Sequence, residues 1–194
     1  MDNERRIILA SSSPRRKELL ENIGLRFEVD GSGFNEEICR EPDSHKLAIE
    51  LSLRKVTAIA EKYQDAVIIG ADTFGVLDGQ IIGKPKSPAE ARTMLARLSG
   101  RHHFVITGFT VTDTATAKTL SAAVETKVYI KKLTSAEIDA YAKTGEPLDK
   151  AGAYAIQGLG ALIVEKIEGD YFNVVGLPIY ALANTLREFG IRLF

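Results

Sequence analysis

The sequence predicts an α/β fold: a mixed β-sheet with flanking helices, in a single domain over residues 1–194. Three observations predict it. Short apolar runs of strand length alternate with helical segments along the chain. Helix starts and stops carry Ser-Pro and Gly signals. No repeat, low-complexity tract or linker divides the 194 residues, so one domain is expected.

Taken in order, residues 6–10 read as a short buried strand, and a helix over residues 14–23 follows at once, stopped by Gly24. Residues 25–29 form a second strand. Residues 30–43 are a polar loop with Gly31, Gly33 and Pro42, and Ser44 is predicted to cap a long helix reaching Tyr63. Residues 66–77 are strand-like, and Asp78-Gly79 is a hairpin turn into residues 80–82. Ser87-Pro88 opens a helix, with Glu90 at capping-box spacing, that ends near Ser99-Gly100. Residues 103–112 and 119–133 are strand-like around a loop at 113–118. Thr134 or Ser135 caps a helix to about Lys143. A glycine-rich segment, residues 145–160, leads to a strand over 161–167, and a last helix runs from near Pro178 to near Gly190.

Composition narrows the function classes. Hydrophobic residues at 45% and charged residues at 26% exclude a disordered or collagenous chain. Lys and Arg number 25 against 26 Asp and Glu, so no global field favours DNA or an anionic membrane. Basic and aromatic residues do not interleave, and no nucleic-acid partner is expected. A lone cysteine, Cys39, excludes an internal disulfide and a multi-cysteine zinc site. Residues 7–10 are too short an apolar run for a signal-peptide core. Asn173, Pro178 and Asn184 interrupt the apolar stretch 171–186, so no membrane span is expected. The expectation is a soluble, cytoplasmic protein.

Four places carry candidate chemistry. Ser11-Ser12-Ser13-Pro14-Arg15-Arg16 puts Ser13 at a helix cap, Pro14 at the first helical position and two arginines directly after it. A helix N-terminus has partial positive charge and favours acidic residues, so arginines there cost about 0.3–1 kcal/mol each without an anion. With a phosphate they become a cradle of N–H groups, hydroxyls and guanidinium forks. Solvated arginines pairing with Glu18 or Glu21 are the ordinary alternative.

Lys55 projects onto the same helical arc as Leu47, Ala48, Leu51, Ala58 and Ile59, while Ile49, Leu53 and Val56 form another apolar side. A lysine so placed either snorkels to the rim or faces a polar cleft. Asp72, with Thr73, ends the apolar run Ala66-Val67-Ile68-Ile69-Gly70-Ala71, where α/β sheets collect ligands; a cap or turn residue is the alternative. Lys84, across the Asp78-Gly79 hairpin, is brought toward the level of Asp72, either as a simple salt bridge or as part of one cationic site with Arg15, Arg16 and Lys55.

Several chemistries are absent from the pattern. There is no G-x-x-x-x-G-K-[ST], G-x-G-x-x-G after a strand, G-x-S-x-G or H-E-x-x-H, and His45, His102 and His103 lack metal spacing.

LASSSPRRKELLENIG, ADTFGVLDGQIIGKP, LSGRHHFVITGF and GEPLDKAGAYAIQGLGALIVEKIEGDYFNVVGLP, in this order, resemble the Maf family of nucleoside triphosphate pyrophosphatases. The likeness spans about residues 8–186. It implies one α/β domain of two lobes around a cleft, similar in fold to the inosine triphosphate pyrophosphatases. It also implies metal-dependent cleavage of a nucleoside triphosphate between the α- and β-phosphates to monophosphate and pyrophosphate, and homodimers are common in the family. By resemblance Ser11, Arg15, Arg16, Lys55 and Lys84 hold phosphates. Asp72 is the catalytic aspartate, and Glu36, with Glu37 as its neighbouring competitor, joins Asp72 in holding Mg²⁺ or Mn²⁺. Arg15, Thr73 and Gln157 fall where the family tunes nucleobase choice. Residues 149–158, DKAGAYAIQG, look like the subgroup acting on dTTP and UTP rather than on 7-methyl-GTP. Gly75 and Val56 depart from the family's usual residues at positions that concern packing. The physics agrees: an extended triphosphate needs several cations, and a hard divalent ion is held by one or two carboxylates plus substrate oxygens. Gln157 carries an amide suited to a pyrimidine edge. A nucleotide-binding regulator of septum formation without turnover, and a 7-methyl-GTP pyrophosphatase, are the alternative readings.

Overall fold

Strand β1 (Ile7–Leu9) pairs in parallel with both β2 (Glu28–Val29) and β3 (Val67–Leu77). This parallel trio is joined through α1 (Pro14–Asn22) and α2 (Ser44–Ala60). The computed structural model describes residues 5–34 and 41–194. Beyond β3 come β4 (Gln80–Ile82), α3 (Pro88–Leu98), β5 (His102–Asp113), β6 (Thr119–Ile130) and α4 (Ser135–Lys143). Three 3₁₀ turns follow at Glu146–Asp149, Ala151–Ala153 and Gly158–Leu162, then β7 (Val164–Glu168), α5 (Tyr171–Val175) and α6 (Ile179–Arg187).

Among the described residues seven strands form one sheet in the order β2-β1-β3-β5-β6-β7, with β4 paired to β3. The β3–β4 and β6–β7 pairs are antiparallel, which makes the sheet mixed, as the sequence predicts. The chain divides into two compact units. The first holds the described residues up to Asp72, with Thr107–Val124 and Gly176–Phe194; the second holds Thr73–Ile106 and Glu125–Val175.

In the first unit α2 packs on the sheet through Val56 and Ile59 against Ile8, Ala10, Ala66 and Ile68. In the second, Leu95 and Leu98 of α3 and Tyr141 of α4 cover Leu77, Val128 and Ile130. Asp78 and Gly79 take φ of 54° and 73°, the left-handed pair that a two-residue hairpin needs. Among the described residues no helix is long and apolar enough to cross a membrane.

Boundaries differ from expectation for local reasons. Strand β2 covers only Glu28–Val29, because Gly24, at φ 73°, lets Gly24 and Leu25 donate N–H groups back to Glu21 and Leu20. Asp43, not Ser44, caps α2: its carboxylate accepts from His45 and Lys46 N–H. That helix ends at Ala60 and buries one side only, for Leu53 and Ala58 are exposed while Val56 joins the Leu47 and Ile59 face. Strand β7 starts at Val164 because Gly158–Leu162 winds into a 3₁₀ turn. The short helix α5 was hidden in an apolar run; Asp170 accepts from Phe172 and Asn173 N–H and starts it.

Candidate active site

The parallel trio delivers three chain segments to one sheet edge. Leu9 is level with both Ile69 and Val29. Ala10 donates its N–H to Ile69 O, and Asp30 donates to Leu9 O. Ser11 and Asp30-Gly31 therefore leave the sheet at the carboxyl ends of β1 and β2, level with Ala71-Asp72; Asp72 does not end its strand as expected, because β3 runs on through the apolar residues Phe74 and Val76 to Leu77. Parallel strands present their ligand crevice at this end.

Asp72 and Lys55 meet here. Lys55 Nζ is 2.5 Å from Asp72 Oδ1 and 3.4 Å from Ala71 O. The two residues are 7% and 6% exposed, so Lys55 does not snorkel: it is buried and ion-paired. What brings it there is glycine. A Cβ on Gly70 would lie 2.6 Å from Val56 Cγ2 and 2.7 Å from Ser52 O, and one on Gly108 would lie 2.1 Å from Ala48 O. Backbone contact this close lets α2 lie directly on β3 and β5. A buried hydroxyl pair, Ser52 with Thr110 at 2.7 Å, locks the register. A glycine inside an apolar strand is the sequence signal for such an approach.

At the end of β1, Ser11 Oγ accepts from Arg16 Nη1 at 3.1 Å and from Ser13 N–H at 3.2 Å. A hydroxyl has two acceptor lone pairs and one donor. With both lone pairs engaged, Ser11 keeps its O–H to donate, which suits an anionic oxygen. Arg16 Nε donates to Gly176 O at 2.8 Å, and the side chain is buried. Arg16 thus ties the start of α1 to the backbone at Gly176 as well as to Ser11. Arg15 is half-buried. Ser13 caps α1 by backbone conformation without a side-chain bond.

Thr73, Lys84 and Gln157 belong to the second unit. Thr73 lies in β3 and is half-buried, while Lys84 is exposed. The hairpin ladder runs Leu77↔Gln80, Val76↔Ile81 and Gly75↔Ile82, and it ends before Lys84. Gly83 O instead accepts from Gly152 N–H at 3.0 Å. Gln157 precedes the Gly158–Leu162 turn and is half-buried. Glu146, which no spacing rule marks, holds that segment: its carboxylate accepts from Tyr141 O–H, Leu159 N–H and Gly160 N–H. A buried His103 shares a 2.8 Å hydrogen bond with Tyr154 Oη. Burial, reinforced by the charge of His102, pushes the imidazole down to about 4, while burial pushes the Tyr154 phenol up.

A divalent ion fits the donor chemistry of this edge only sparingly. Among the described residues no three His, Cys, Asp or Glu side chains cluster as a metal cage. Asp72 offers one carboxylate, with Oδ1 on Lys55. Glu36, its neighbour Glu37 and Cys39 lie outside the described residues. One or two carboxylates plus phosphate oxygens is the usual Mg²⁺ set, and Asp72 meets that requirement.

The chain belongs to the Maf-like protein family, whose sequence profile matches residues 6–189. Its relatives are similar over nearly the whole chain. A protein of Thermoanaerobacter sp. (strain X514) is 54% identical over 190 residues, 97% of this chain and 99% of its own. One of Dictyoglomus turgidum is 50% identical, covering 96% of this chain and 97% of its own. One of Methanosarcina barkeri is 47% identical, covering 98% and 97%. All three carry the name dTTP/UTP pyrophosphatase. The solved Staphylococcus aureus Ham1 protein overlays 65% of this chain and 72% of its own at TM-score 0.46 and 18% identity, a likeness too slight to define the fold, which rests on the strand order.

Proposed function

We propose that this chain is a cytoplasmic nucleoside triphosphate pyrophosphatase acting on dTTP and UTP. One water is consumed: the Pα–O–Pβ bond breaks, and the products are the nucleoside monophosphate and pyrophosphate. The observation that carries this reading is the 54% identity over 97% of the chain to a relative named dTTP/UTP pyrophosphatase.

The geometry supports it. Phosphoryl chemistry is mainly positioning and charge stabilisation, and the carboxyl end of β1 with the adjoining middle of β3 carries the hydroxyl donor Ser11, the guanidinium of Arg16 and the Lys55–Asp72 pair. In this reading Ser11, Arg15, Arg16, Lys55 and Lys84 bind the phosphates. Asp72 orients the water and accepts its proton as the oxygen bonds to phosphorus. Lys55 aims the Asp72 carboxylate. Asp72, with Glu36, would hold Mg²⁺ or Mn²⁺, which when bound neutralises phosphate charge. Arg15, Thr73 and Gln157 select the base. The resemblance also supports a homodimer, which sedimentation of the purified chain tests.

The experiment is a panel of ribo- and deoxyribonucleoside triphosphates and 7-methyl-GTP, with Mg²⁺ or Mn²⁺ and chromatographic identification of products. Monophosphate plus pyrophosphate from dTTP and UTP in preference to the rest is expected. Faster cleavage of 7-methyl-GTP, or nucleotide binding without any product, overturns the proposal.

A further inference from the structure

The glycine-rich segment ahead of β7 has little regular structure to hold it. Its residues 155–160 are bonded to one carboxylate and that carboxylate's tyrosine partner. Glu146 Oε1 accepts from Tyr141 O–H at 2.8 Å and from Gly160 N–H at 2.9 Å, and Oε2 accepts from Leu159 N–H at 3.1 Å. Tyr141 Oη in turn accepts from Ala155 N–H at 3.3 Å. These bonds fall on both sides of Gln157. The packing between them is tight. A Cβ on Gly158, whose φ is +68°, would lie 2.9 Å from Glu146 Oε2, and one on Gly160 would lie 2.0 Å from Ala155 O. Burial pushes the Glu146 carboxyl up, but the bonds from Tyr141, Gly160 and Leu159 outweigh it and hold the group below its usual range. The acceptor therefore stays charged through the neutral range.

We infer that Glu146 is a positioning residue for base selection: with Tyr141 it clamps residues 155–160 and so sets the backbone from which Gln157 reads the nucleobase. The inference rests on the reading of Gln157 as a base-selecting residue and extends it to a group that need not touch substrate. A carboxylate suits the task because it only accepts, and every group facing it is a donor. An amide at the same place would turn its NH₂ toward one of those N–H groups.

The test compares wild type, Glu146→Gln, Tyr141→Phe, Gln157→Ala and the Glu146→Gln/Gln157→Ala double variant on dTTP, UTP and dGTP. Glu146→Gln is expected to raise KM for dTTP and UTP about five- to twentyfold, the worth of one or two hydrogen bonds, with kcat held within about twofold. Its preference over dGTP narrows by the same factor. Tyr141→Phe, which keeps the packing, moves the same way by about two- to fivefold and supplies the answer if Glu146→Gln does not fold. The double variant matches Gln157→Ala alone, because the two residues act in one chain of causes. Equal losses for pyrimidine and purine nucleotides, an unchanged preference, or additive effects in the double variant overturn the inference while leaving the pyrophosphatase reading standing. No turnover of any nucleotide by wild type overturns both.

Discussion

Nζ of Lys55, on α2, lies 2.5 Å from Oδ1 of Asp72, on β3, and neither residue is more than 7% exposed. Two opposite charges this far from water depend on each other. Removing one partner of such a pair strands the other and costs about 3–5 kcal/mol, more than the pair itself contributes relative to an apolar replacement. Asp72→Asn is therefore expected to do two separable things. Pyrophosphate release falls by about 10²–10⁴-fold, the usual worth of a positioned acid or base. The melting temperature falls as well, because Lys55 is left uncompensated. Lys55→Gln in the same background restores part of the stability and none of the activity. Turnover at the wild-type rate by folded Asp72→Asn would remove Asp72 from the mechanism.

Gly70 is the hinge of the same relationship. Gly70→Ala puts a methyl group 2.6 Å from Val56 Cγ2 and 2.7 Å from the carbonyl of Ser52, so α2 must lift off β3. Overpacking of this kind costs about 1–3 kcal/mol, and the lift also draws Lys55 away from Asp72. Turnover should fall more steeply than stability. Adding Val56→Ala relieves only part of the strain, since the Ser52 carbonyl is backbone and remains. Calorimetry beside kinetics checks this, and full activity in Gly70→Ala would show that α2 can shift without consequence.

Ser11→Ala deletes the one hydroxyl whose two lone pairs are already taken by Arg16 and Ser13. Its loss removes a donor from the phosphate side and an acceptor from Arg16. A rise of about tenfold in KM for dTTP, one hydrogen bond's worth, with a smaller change in kcat, is the expected outcome. Arg16→Lys should cost more than its conserved charge suggests, because an ammonium lacks the planar fork that serves Ser11 Oγ and Gly176 O together. Steady-state kinetics on the two variants decides both points.

Parts of this were legible in the residues alone. The strand over 66–77 that carries Asp72, the Asp78-Gly79 hairpin and the helix cap at Thr134 follow from local pattern, and all three stand. Lys55 and Asp72 each stood out by type and place, yet nothing in their spacing says that they touch. That contact exists because Gly70 and Gly108 let a helix lie on backbone, a property of two strands and a helix at once. Arg16 shows the same limit. Its position argues for an anion, but its burial is decided by a carbonyl 160 residues away. Glu146 was the least legible, a carboxylate in a polar stretch whose partners are mostly backbone amides.

His103 yields the last prediction. It is buried, bonded to Tyr154 through Nε2, and its Nδ1 has no hydrogen-bond partner. Its pKa falls from 6.5 to about 4 because burial disfavours the cation, with His102 adding repulsion. Between those two values the unfolded chain binds a proton that the folded chain refuses. Stability from this residue is therefore complete above pH 6.5, declines as pH falls, and levels off below about 4. The full decline is on the order of 3 kcal/mol. The carboxylates that are held low, such as Glu137 at about 2 against 4.5, lose their contribution only further into acid. The interval from pH 6.5 to 4.5 thus isolates the histidine. Melting temperatures measured across it should drop in wild type and stay nearly flat in His103→Gln, whose amide keeps a partner for Tyr154 but cannot be protonated there. Parallel curves for the two proteins would mean that His103 accepts its proton in the folded state after all.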